Sequence, residues 1–140
     1  MAKFIAIPLQ TVEENLNVLF EDGIRCNRGH ALHTPGSGLV TLRGITSQCF
    51  ARYRVSFGGN IQIPAGGTVG EISITLAVNG EPLGSATAIV TPAAVEEFAN
   101  VFVADIIDVP HGCCLTVAVR NTSDQAIEVQ NANLIIERIA

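Results

Sequence analysis

The sequence predicts an all-β fold whose strand pattern points to a sandwich or barrel, and the expectation taken is an antiparallel two-sheet jelly-roll sandwich of about eight to ten strands. Three observations carry this. Apolar residues alternate with polar ones over most of the chain. Turn-forming Gly, Pro, Asn and Asp punctuate it at intervals of about ten residues. Helical periodicity is nearly absent, and the single candidate is Pro92 to Asn100, which could hold two turns at most behind Thr91 as a cap.

The elements follow in order. Residues 1–140 are expected to form one domain, with about 1–17 as an N-terminal strand or arm. Tyr53, Val55 and Phe57 alternate with Arg52, Arg54 and Ser56, which puts two arginines on an outer face. Ile72, Ile74, Leu76 and Val78 alternate with Glu71, Ser73, Thr75 and Ala77. Asn79-Gly80 follows as a hairpin turn, because both residues tolerate positive φ. Leu83 to Val90 returns as the partner strand. Val101 to Val109 is a further strand, joined through Pro110-His111-Gly112 to one over Cys113 to Arg120. In the last strand, Ile127 to Ile139, the apolar positions are odd at Ile127 and Val129 but even at Leu134 and Ile136. The phase changes across Asn131-Ala132-Asn133, which predicts a bulge or a strand buried on both faces.

Composition speaks to function. Charged residues are 15% of the chain, hydrophobic residues 48%, and Lys3 is the only lysine. A typical soluble domain carries about 25% charge. Part of this surface is therefore expected to be covered by other copies of the chain. The net charge of −5 and the absence of any Lys/Arg run exclude an electrostatic nucleic-acid footprint. Apolar runs are too short for a membrane helix, so no membrane insertion is expected. The N-terminus lacks a secretory h-region and cleavage site, so synthesis in a cytoplasm is expected, with release by lysis.

Candidate chemistry is thin. His30 and His33 are spaced as a His-x-x-His pair, but no third ligand is evident, and turn or interface histidines are the expectation. His111 stands near Cys113 and Cys114 without zinc-site spacing, on turn and strand positions. The four cysteines, Cys26, Cys49, Cys113 and Cys114, are expected to pack as small free hydrophobes, with Cys113 and Cys114 on opposite faces of a strand. Gly66-Gly67-Thr68-Val69-Gly70 lacks the Lys and helix of a phosphate loop. Asn121-Thr122-Ser123 matches a glycosylation sequon by chance. The acidic pairs Glu13-Glu14, Glu21-Asp22 and Glu96-Glu97 are expected to be solvated. No catalytic, cofactor-binding or metal-ligating residue is assigned, and no cofactor is expected.

Two segments carry a family resemblance. They are Leu76-Ala77-Val78-Asn79-Gly80-Glu81-Pro82-Leu83 and the ending Ala132-Asn133-Leu134-Ile135-Ile136-Glu137-Arg138-Ile139-Ala140. They resemble the C-terminal domain of collagen-like exosporium glycoproteins, itself similar to the tumour necrosis factor and complement globular-head superfamily. The resemblance implies a ten-stranded jelly roll in a tight trimer, at a spore coat, surface fibre or virion. The sequence departs from it in having no Gly-X-Y stalk. The expectation is a non-enzymatic structural homo-oligomer, a building block or decoration of a phage particle, spore coat or surface fibre. The alternative is a carbohydrate- or receptor-binding adhesin module of the same fold. Aromatics at 5% and the absence of tryptophan weigh against a sugar-stacking platform.

Overall fold

The structure is a computed structural model that describes residues 1–24 and 29–140. Eleven strands run through the described residues: β1 Ala2–Ala6, β2 Gln10–Val12, β3 Glu21–Ile24, β4 Ala31–His33, β5 Val40–Arg43, β6 Phe50–Gln62, β7 Ile72–Val78, β8 Glu81–Val90, β9 Ala99–Pro110, β10 Cys114–Asn121 and β11 Ile127–Arg138. One sheet has the order β3-β1-β11-β6-β9, with β2 also paired to β11; the second has the order β4-β5-β10-β7-β8. Every pairing is antiparallel. The result is the expected two-sheet jelly-roll sandwich.

The core lies between the sheets because alternation aims one face of each strand inward. Tyr53, Val55 and Phe57 of β6, Ile72, Ile74 and Leu76 of β7, Val117 and Val119 of β10, and Leu134 and Ile136 of β11 are all buried. Phe20 meets Phe57 edge-on, with ring centroids 6.2 Å apart. The N-terminal residues are not a loose arm: β1 and β2 both add to β11.

Two local features match their sequence signals. Asn79 and Gly80 have φ of 51° and 82°, and Val78 pairs with Glu81 across them. This is the two-residue turn that the right-handed twist of paired strands favours. In β11, Gln130 pairs with Asn60 and Asn133 with Gly58, so one residue is extra between them. Asn131 has φ of 53° there, and the bulge shifts the inward set from odd to even positions.

Two expectations are corrected. Pro92 to Asn100 holds no helix. Glu96 adopts φ of 59°, its N–H donates to the Ile63 carbonyl, and Ala99 already opens β9. So short a segment gains too few helical hydrogen bonds to offset nucleation, and docking on the sheet decides its shape. Cys113 stands in the turn rather than in a strand, its N–H donating to the Pro110 carbonyl.

Candidate functional site

The open face of the β3-β1-β11-β6-β9 sheet exposes large apolar side chains at its centre. On β9 the outward residues are Phe102, Ala104 and Ile106, because the alternate residues Val101, Val103 and Ile107 fill the core. Phe102 is 67% exposed and Ile106 51%. In register, Phe102 stands beside Gly58 of β6, which stands beside Asn133 of β11 and then Ile5 of β1. The next row runs Ala104, Ser56, Ile135, Lys3. The Phe102 ring lies against Gly58: a side-chain carbon there would be in ordinary contact with it, 3.6 Å from Phe102 Cδ2.

Polar groups frame this centre. On one side Arg52 Nε donates to Asp108 Oδ1 at 2.8 Å and Nη2 donates to Oδ2 at 3.1 Å. This bidentate hydrogen bonding holds the Asp108 carboxyl below its usual range, partly opposed by desolvation, and raises Arg52. Arg54 and Glu137 sit 4.0 Å apart in the adjacent row. On the other side lie Asn60 and Asn100, joined at 3.1 Å, and Gln62, which donates to Glu128. An apolar centre within a polar rim is the anatomy of a protein interface.

The residues considered from the sequence fall elsewhere. His30 and His33 turn to different partners. Arg138 Nη1 donates to His30 Nδ1 at 2.7 Å. His33 Nδ1 is 2.6 Å from Asp22 Oδ1, its Nε2 is 2.8 Å from the Ser37 carbonyl, and its ring packs against Phe4. Asp22 is thus a corrected expectation: it is paired with a buried histidine rather than solvated. Among the described residues, no group of three or more His, Cys, Asp or Glu side chains is placed to hold a metal ion.

Asn121 agrees with a chance match to the sequon. Its side chain is buried; Nδ2 donates to the carbonyls of Val12 and Gln125, both at 2.9 Å, and Oδ1 accepts from Ser123 N–H. The nitrogen a glycan would need is committed to tying the N-terminal segment to the β10–β11 loop. The glycine-rich loop lines a cleft of about 530 Å³ with Ser73, Thr122, Asp124 and Gln125. Its hydroxyls bond one another, as in Ser73 to Thr122 at 2.7 Å, and Gln125 bonds both the N–H and the carbonyl of Thr68.

The cysteine expectation fails as well. Cys49, Cys113 and Cys114 are all exposed, while Cys26 lies outside the described residues. Sequence reasoning also missed Phe102 and Ile106. Their signal is that Val101 to Val109 is apolar on both faces, which a strand with one wet face does not need.

No protein-family model matches the sequence, and no curated protein matches it. Solved structures do match the fold. Eiger TNF from S. frugiperda aligns with TM-score 0.72 at 15% identity, over 99% of this chain and 91% of that one. Murine APRIL aligns with TM-score 0.60 at 10% identity, over 95% and 97%. The globular domain of zebrafish complement 1qA aligns with TM-score 0.51 at 11% identity, over 96% of each. In fold, the chain is a jelly roll of the tumour necrosis factor and complement globular-head kind.

Proposed function

We propose that this protein is a non-enzymatic structural component that assembles as a homotrimer through the open face around Phe102 and Ile106. In this reading it is a building block or decoration of a phage particle, spore coat or surface fibre. The observation that carries the proposal is the apolar centre of that face within its polar rim. A lone jelly roll has no reason to hold a phenylalanine two-thirds exposed above a glycine; a neighbouring copy removes that surface from water. The low charge content supports the same conclusion, and three copies is the number the family resemblance implies.

The test is Phe102→Arg. Its side chain leaves the core untouched, so the variant keeps its strand content by circular dichroism. Sedimentation is expected to show it as a monomer at concentrations where the parent is assembled. An unchanged assembly would place the interface elsewhere. Saturable binding of glycans by the parent protein would favour the adhesin reading.

A further inference from the structure

The end of the sandwich built by residues 44–50 and 109–114 adjoins the open face, because Phe50 pairs with Pro110 at the limit of β6 and β9. It carries every cysteine among the described residues, and all three are exposed. Cysteine is among the most buried residue types, and free thiols are usually kept off surfaces. Three together at one end call for a reason.

The thiols stand on a fixed frame. Gly44 N–H donates to the Cys113 carbonyl at 2.9 Å, His111 N–H to the Cys49 carbonyl at 2.9 Å, and Gly112 N–H to the Gly44 carbonyl at 3.1 Å. The loops approach so closely at Gly44 that any side chain there would collide with the Pro110 carbonyl oxygen. Around the thiols, Ile45 and Phe50 are 42% and 38% exposed. Neither segment contains Asp, Glu, Lys or Arg.

We infer that this end joins a second copy of the chain, end to end, through intermolecular disulfides of Cys49, Cys113 or Cys114. Two identical ends related by a two-fold axis bring the same thiols together, with no other partner required. A chain of net charge −5 repels its own copies, but these two segments carry no acidic residue, and the charges that border them are Arg52, paired with Asp108 and lying over Phe50, and Arg138, which donates to the Ile45 carbonyl. The oxidant is a small-molecule disulfide such as oxidised glutathione. A thiolate of one copy attacks it, forming a mixed disulfide and releasing one glutathione. A thiolate of the second copy then displaces the other glutathione. Two protein thiols are oxidised, one small disulfide is reduced to two thiols, and the two protons leave on them. The link is off in a reducing compartment and on in an oxidising one. The inference does not rest on the Phe102 face: a monomer would give linked pairs, and a trimer would give trimers joined to trimers.

The test treats the whole protein with oxidised glutathione and runs it on a denaturing, non-reducing gel. A reducible band at twice the chain mass is expected. Mass spectrometry of its unreduced peptides is expected to find two copies joined at Cys49, Cys113 or Cys114. The variant C49S/C113S/C114S, which retains Cys26, is expected to lose the band. A protein that stays single, a disulfide closed within one chain, capture of glutathione alone, or linkage mapped to Cys26 would each overturn the inference. Peptide mapping of the parent decides the matter even if the triple variant does not fold.

Discussion

Asn121 and Asp108 show how single side chains are set by their surroundings. The amide of Asn121 donates to carbonyls of two segments far apart in the chain and accepts from a third group, all out of water. Asn121→Ala would strand those carbonyls in the interior, and a loss of about 3 kcal/mol is expected, measured by urea unfolding. Asp108 is the acid-sensitive case. Its folded-state pKa lies below its unfolded one because Arg52 hydrogen-bonds the charged form. The pair therefore contributes stability that is present above the ordinary Asp value near ~4 and is lost as pH falls through the folded-state value. Both side chains are 40% exposed, so the effect is small and screened by salt. Asp108→Asn is expected to flatten the fall in stability below that value, and added salt to flatten it in the parent. Neither residue's role was legible in the sequence. The Asn121 partners at Val12 and Gln125 are brought together only by the sheet, and Arg52 meets Asp108 only through the β6–β9 register.

Elements were far easier to read. The β7–β8 hairpin declares itself because alternation and turn chemistry agree: Ile72, Ile74 and Leu76 fall on the buried face, and Asn79-Gly80 supplies both positive φ angles. Gly80→Ala forces an L side chain into φ of 82°, and a loss of about 1–2 kcal/mol is expected by thermal or urea unfolding. The β11 bulge was legible for a similar reason, since an extra residue has to invert the apolar phase. The short strands β2 and β4, of three residues each, were not legible, because three residues show no period. The helix expected over Pro92 to Asn100 failed on the same ground: a proline and a cap outline a helix but cannot hold two turns against the pull of β9. The cysteines misled because chemistry by residue type predicts burial, while their placement at loop ends decides exposure.

At the scale of the molecule, the two sheets account for the core, and the remaining apolar surface is what the proposed assembly rests on. Phe102 and Ile106 share the open face with Ile135 and Ile5, while the thiol end adjoins it where Phe50 pairs with Pro110, with Cys49 and Cys113 in the connections beyond and Cys114 opening β10. The two proposals use them differently, one by packing and one by covalent bonds. The all-β class followed from strand pattern and the jelly roll from the resemblance, but the face that would pack needed the register of β9 against β6 to be seen. The most direct measurement is the mass of the parent protein in solution at micromolar concentration, under reducing conditions that silence the cysteines. The expected result is three times the mass of the 14.7 kDa chain. A stable monomer under those conditions would contradict the assembly.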